Sequence, residues 1–228
     1  MKSPSSSVRP TGGRPPSVTA ATAIQKRLRK LVISRDDIGA VEHIAVVDVG
    51  INQRLGKVRA AAALFCYPEL VLISSSVSVM PLEFPYVPGY LSFRELPAVL
   101  SALDWLEPKP DLLLCDGHGL AHPRRFGLAC HLGIETGITS IGVGKTRLVG
   151  THERVPTARG AWTPLVDLNA DGERLGAVLR SRANVAPIYV STGHRISLET
   201  AIRFVMGCVT RYRLPETTRA ADRLAAWR

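Results

Sequence analysis

Two carboxylates stand where their neighbours offer them nothing. Asp48 interrupts the β-branched run Ile44-Ala-Val-Val-Asp48-Val-Gly-Ile51, and Asp116 ends a second apolar run, Asp111-Leu-Leu-Leu-Cys-Asp116, just before Gly117-His-Gly119. An ionised carboxylate in such surroundings loses its hydration, which is strongly unfavourable unless a cation or strong donors compensate. Two such acids suit a bound metal; a salt bridge, or for Asp116 a turn, is the plainer alternative. Carboxylates without paired histidines or cysteines are hard oxygen donors, which selects Mg²⁺ or Mn²⁺ over Zn²⁺.

Four further residues could act on a substrate, and each also has an ordinary reading. Glu95, in Leu91-Ser-Phe-Arg-Glu95-Leu-Pro97, is either a third acid for the site or the far end of a capping box begun at Ser92. Pro97 removes a helical donor, so a helix here is expected to begin later than the box implies. Lys145 could meet a phosphate oxygen that gains charge during reaction, or be a surface lysine. His194, in the Ser191-Thr-Gly-His194 stretch before the last helix, reads as a loop residue that orients water or contacts phosphate, or as a surface cap. Tyr86, held in the rigid turn Pro85-Tyr86-Val-Pro88-Gly89, would lose little entropy on wedging between bases, or would pack at its turn.

Other chemistries fail on spacing. A Walker A loop ending at Gly144-Lys145-Thr146 would need glycine at position 139, which is threonine. A dinucleotide fingerprint from Gly117-x-Gly119 meets His122 where its third glycine belongs. The four cysteines, Cys66, Cys115, Cys130 and Cys208, form no C-x-x-C pair and read as buried free thiols.

The elements that must position these residues follow from periodicity. Residues 1–18 are Ser-, Pro- and Gly-rich and are expected to form a disordered basic arm, with residues 19–228 as one catalytic domain. Ala23, Ile24, Leu28, Leu31 and Val32 recur at helical spacing and predict a basic amphipathic helix ending near Arg35. Apolar segments at 43–51, 58–67 and 69–79 predict an antiparallel meander. Helices at 92–106, 124–136 and 197–212, and strands at 111–116, 139–143, 175–181 and 186–191, complete an α/β mixed sheet with helices on both faces. The first strand and the one ending at Asp116 are expected to lie side by side, so that their acids converge.

At 228 residues and 46% hydrophobic composition the chain is large enough for one sizeable core. Of its formal charge of +10, seven positive charges fall in residues 1–30, which hold no acid. That asymmetry suits contact with nucleic-acid phosphates or a merely solubilising tail. No run of about 18 apolar residues and no signal core occur, so a cytoplasmic protein without membrane contact is expected. No protein partner can be inferred, and a monomer is expected.

Read in order, Val47-Asp48-Val49, Pro85-Tyr86-Val-Pro-Gly89-Tyr-Leu91-Ser-Phe-Arg-Glu95, Asp116-Gly117-His-Gly-Leu-Ala-His122-Pro-Arg-Arg-Phe-Gly127, Ile141-Gly-Val-Gly-Lys145 and Thr192-Gly-His194-Arg-Ile-Ser197 closely resemble the endonuclease V family. The resemblance extends to Tyr212-Arg-Leu-Pro-Glu-Thr-Thr-Arg219 and spans about residues 20–223. It implies a ribonuclease-H-like fold and a Mg²⁺-dependent endonuclease that recognises deoxyinosine and cuts the second phosphodiester bond 3′ to it, leaving a 3′-hydroxyl and a 5′-phosphate. By the same resemblance Asp48 and Asp116 would hold the metal, with Mn²⁺ substituting, Glu95 would help bind it or position the attacking water, and Lys145 and His194 would assist at the phosphate. Tyr86 would fill the gap left by the flipped nucleotide, and Gly89, Leu91, Gly117 and His122 would line its pocket. An inosine-directed ribonuclease and a non-cleaving binder of damaged or branched nucleic acid remain as rivals. Gly50 and Asn52 after Asp48, and Gly144 before Lys145, depart from the family's usual pattern.

Overall fold

The computed structural model describes residues 17–227. The element order is α1 (Val18–Arg29), β1 (His43–Asn52), β2 (Lys57–Cys66), β3 (Leu72–Pro81), α2 (Leu91–Asp104), β4 (Leu112–Asp116), α3 (Leu128–Thr136), β5 (Thr139–Gly144), β6 (Trp162–Asp167), β7 (Glu173–Leu179), β8 (Ile188–His194), α4 (Leu198–Gly207) and α5 (Glu216–Ala225). The expected arm lies almost wholly outside the described residues. Its last two positions belong to the fold: the Ser17 hydroxyl accepts from the Ala20 N–H and so caps α1, which begins at Val18.

All eight strands join one sheet in the order β3-β2-β1-β4-β5-β8-β7-β6. The expected meander is present as β1 to β3, and β1 also pairs in parallel with β4, which pairs in parallel with β5. β5, β8, β7 and β6 continue antiparallel. Central strands buried on both faces need near-continuous apolar sequence, which Ile44–Val47, Ala60–Phe65 and Leu112–Cys115 supply.

Alternation sorts the two faces. Ile44, Val46, Leu112, Leu114, Ile141 and Val143 pack against α4 and α5, while Ala45, Val47, Leu113 and Cys115 pack against α2 and α3. This mixed sheet, covered on both sides, agrees with the ribonuclease-H-like fold that the family resemblance implies. β3 is an edge strand whose Ser76 and Ser78 hydroxyls bond α2 residues, while Ile73, Val77 and Val79 on its other face stay exposed.

Several expected elements differ. The helix read over 124–136 starts at Leu128, and the strands read at 175–181 and 186–191 run Glu173–Leu179 and Ile188–His194. The helix read over 197–212 stops at Gly207, and α5 follows after a break. α5 buries Thr217, Thr218, Ala221 and Ala225, a stripe too small and polar to register as an apolar face. β6 was also missed; it is an edge strand containing Pro164, with only Leu165 fully buried.

The small stripe of α5 has a counterpart in β1. A Cβ added at Gly50 would lie 2.3 Å from the Ala225 carbonyl oxygen, so Gly50 allows the helix to approach the strand closely. We expect Gly50→Ala to destabilise the protein by roughly 1–3 kcal/mol, as overpacking against backbone does. Hydrogen exchange should locate the loosening in α5; an unchanged melting temperature would contradict the close contact.

Candidate functional site

The β1–β4 register brings the two acids together. Val47 is the partner of Cys115, so Asp48 and Asp116 are the next residues on adjacent parallel strands, with side chains on the same face. Such strands lie about 4.8 Å apart. Lys145 follows β5, where Asp116 is level with Val143, and its ammonium pairs with Asp116 Oδ2. Glu95 enters from the second turn of α2 with only 7% of its surface exposed. Asp48, Glu95, Asp116, His118 and Lys145 line one cleft of about 330 Å³.

The charges in this cleft are poorly balanced. Burial, then the Asp116 charge, pushes the Asp48 carboxyl up to about 7. Burial, then Asp48 and Asp116, pushes Glu95 up to about 8. Asp116 is also raised by burial despite its lysine partner. Burial would lower Lys145, but hydrogen bonding to Asp116 overrides it and raises the ammonium. Both partners of that ion pair therefore rise: burial outweighs the lysine at Asp116, while the surrounding acids outweigh burial at Lys145. Under-compensated oxygen donors around an open cleft fit a hard divalent cation. Among the described residues no three such side chains are already drawn into a ligand shell; the acids share the cleft without being clenched.

A second cavity of about 240 Å³ adjoins the first. Tyr86, Gly89, Leu91, Gly117 and His122 all line it, together with Pro88, and Gly117, His118, Leu128 and Thr146 line both cavities. The Tyr86 ring is 67% exposed at its rim, with the Arg94 guanidinium 5.6 Å from the ring centre. All five expected pocket residues are thus gathered at one place, and four of the five expected catalytic residues at the other.

His194 is the exception. It ends β8 as a strand residue opposite Ser140, three positions from Val143 and hence about 10 Å along the sheet from the level of Asp116. It is buried under α3, beside Gly133, and its Nδ1 accepts from the Ile33 N–H. The Ser, Thr and Gly residues before it read as a loop, whereas they belong to β8 and pair with β5. The structure does not bring His194 to the acid cleft.

The capping box is likewise absent. α2 begins at Leu91 after Tyr90, so Ser92 lies inside the helix, and its hydroxyl bonds His131 Nδ1 at 3.1 Å. Pro97 is accommodated within the helix rather than delaying it. This leaves Glu95 free of a capping role.

Two residues at the cleft were not singled out from sequence. His118, two positions beyond Asp116, lies between the cavities, and burial lowers its imidazole below the usual range. Asp222, on α5, lies 3.9 Å from the Lys145 ammonium and adds to the negative field on Asp48 and Asp116. His118 was visible in the Asp-Gly-His-Gly block; Asp222 carried no signal without its helix. The glycine at position 144 is explained by the same crowding, since a Cβ there would meet the His118 ring at 2.4 Å.

The model for the family Endonuclease V matches residues 26–223. An endonuclease V from Roseiflexus sp. (strain RS-1) is 56% identical over 212 residues, covering 93% of each chain. The crystal structure of endonuclease V from Streptomyces avermitilis superposes with a TM-score of 0.88 at 40% identity, covering 96% of each chain. That of Ciona intestinalis endonuclease V, in complex with a 24mer DNA containing an inosine followed by a ribo-adenosine, superposes with a TM-score of 0.79 at 27% identity, covering 91% of this chain and 95% of that one. The extent of these matches, over the same strands and turns that build the two cavities, shows that the chain belongs to the endonuclease V family.

Proposed function

We propose that the protein is a Mg²⁺-dependent DNA-repair endonuclease, with Mn²⁺ able to substitute, that recognises deoxyinosine and hydrolyses the second phosphodiester bond on its 3′ side. The products are a 3′-hydroxyl and a 5′-phosphate. The observation that carries this reading is the joining of an acid-lined cleft to a mostly apolar pocket through a shared wall. The inosine-containing DNA held by the Ciona relative supports the substrate.

In this reading Asp48, Asp116 and Glu95 hold the divalent ion, which when bound supplies Lewis acidity at a phosphoryl oxygen and favours the ionised form of a water. Lys145, freed in part from Asp116, stabilises charge that builds on the phosphate. The Gly117 backbone joins the lesion pocket to the scissile region. Hypoxanthine pairs weakly, so extruding it is easier than extruding a normal base, and Tyr86 at the pocket rim fills the vacated stack. Exposed Lys26, Arg27 and Lys30 at the end of α1 offer contacts for backbone phosphates. No helix among the described residues is long and apolar enough to cross a membrane.

A second reading, an inosine-directed ribonuclease, is favoured by one observation: the Ciona relative's DNA has a ribo-adenosine after the inosine. Matched DNA and RNA strands assayed in parallel separate the two.

Two sets of measurements test the assignment. On a labelled duplex with one deoxyinosine, Asp116→Ala should reduce cleavage about a thousandfold or more while binding persists. Tyr86→Ala should weaken lesion binding about tenfold, as loss of a base–aromatic stack does. Unchanged turnover in the Asp116 variant would remove the metal assignment. In metal-free buffer Glu95→Gln should leave stability unchanged or raise it by roughly 1–3 kcal/mol, because it removes an under-compensated buried acid. Added Mg²⁺ should raise the melting temperature of the parent protein and not of Asp48→Asn; an equal rise in both would place the ion elsewhere.

A further inference from the structure

Helix α1 lines neither cavity, yet its side chains hold the turn that forms one wall of the lesion pocket. Gln25 is completely buried on α1, on the stripe Ala21-Gln25-Leu28. Its Nε2 donates to the Gly89 carbonyl at 3.0 Å and to the Phe126 carbonyl at 3.3 Å, while its Oε1 accepts from Arg124 Nε. The Arg124 guanidinium also donates to the Gly89 carbonyl and lies 4.0 Å over the Tyr90 ring. His122 Nε2 meets the same carbonyl at 3.0 Å. One carbonyl of the Pro85–Gly89 turn thus collects donors from three side chains.

The clamp continues on both sides of that carbonyl. Thr22 on α1 hydrogen-bonds the Tyr90 hydroxyl at 2.6 Å, and Ala21 packs with Phe84, Tyr90 and Phe93. Gly89 has φ +80, and a Cβ there would come within 2.8 Å of Arg124, so the turn needs glycine both for its backbone and for the guanidinium. His122 Nδ1 accepts from the Arg124 N–H at 3.2 Å, which leaves Nε2 as the protonated nitrogen that donates to Gly89. Both ring nitrogens of His122 are therefore used within the protein.

We infer that Gln25 is a positioning residue for lesion recognition: with Arg124 and His122 it fixes the depth of the Pro85–Gly89 turn, and so the placement of Tyr86 and Gly89 relative to a flipped purine. If the turn shifts, a buried amide, a guanidinium and an imidazole lose their common acceptor together, and such losses are steep. Two of the three donors, Gln25 and Arg124, stand outside the pocket, so most of the turn's support comes from behind the pocket wall. The inference rests on the proposed deoxyinosine reading for its substrate, but its mechanical part does not.

The test compares the parent protein with Gln25→Leu, Arg124→Leu and the double variant. In free protein, hydrogen exchange of residues 84–91 should quicken about tenfold in Gln25→Leu, with the β6–β7 hairpin unchanged. On a deoxyinosine duplex, KM should rise about tenfold with kcat within about twofold, and the double variant should add little to either single one. Unchanged exchange at 84–91, equal quickening in the hairpin, a fall in kcat at constant KM, or additive effects would each overturn the inference. A parent protein that leaves deoxyinosine DNA uncut would instead refute the proposed function, and the exchange measurement would still decide whether Gln25 holds the turn.

Discussion

Repulsion among buried carboxylates is the constraint around which this molecule is arranged. Asp48 and Asp116 are forced into proximity by a strand register that four buried apolar residues on each strand enforce, and a slip of one residue would turn each strand's buried side chains to the other face. The hydrophobic core therefore supplies the stability that holds unfavourable charges together. Lys145 relieves Asp116 in part, and the remaining imbalance is what makes the cleft receptive to a divalent ion.

The second cavity is built on a different physical footing. It is mostly apolar and much of its wall is turn and loop, so its shape depends on how those segments are held from behind. Backbone crowding does much of this: a Cβ at Gly119 would lie 2.0 Å from the Thr192 carbonyl, and one at Gly142 2.5 Å from the Gly119 nitrogen. The loop after Asp116 is pressed onto β5 and β8, which keeps the pocket wall and the acid in fixed relation. Gly117, shared by both cavities, belongs to that loop.

What the sequence revealed depended on the kind of signal. Acids inside apolar runs identified Asp48 and Asp116, and the order of elements, a meander followed by alternating helices and strands, was enough to anticipate the pairing of their strands. The Pro-Tyr-Val-Pro-Gly and Asp-Gly-His-Gly blocks drew attention to the pocket residues. Elements whose burial is achieved by small or polar side chains were invisible: α5 with its Thr and Ala stripe, and the amide of Gln25 on α1. On α1 the expected apolar face included Ala23 and Leu31, which are exposed, because the position between Ala21 and Leu28 that is buried is a glutamine. His194 was misplaced since a loop and a glycine- and serine-rich strand share a composition, and only pairing with β5 separates them.

The edge strand β3 bears on how the protein behaves in concentrated solution. From Leu72 to Met80 it carries no charge, and Ile73, Val77 and Val79 face water beside a row of unpaired backbone groups. Such an edge is a ready template for another copy. What opposes that encounter is mutual repulsion between molecules of formal charge +10, which acts over a screening length of about 8 Å at physiological ionic strength and only about 3 Å in molar salt. Colloidal behaviour is thereby tied to the ionic medium, because any polyanion that neutralises the basic surface weakens the force that keeps neighbouring sheets apart.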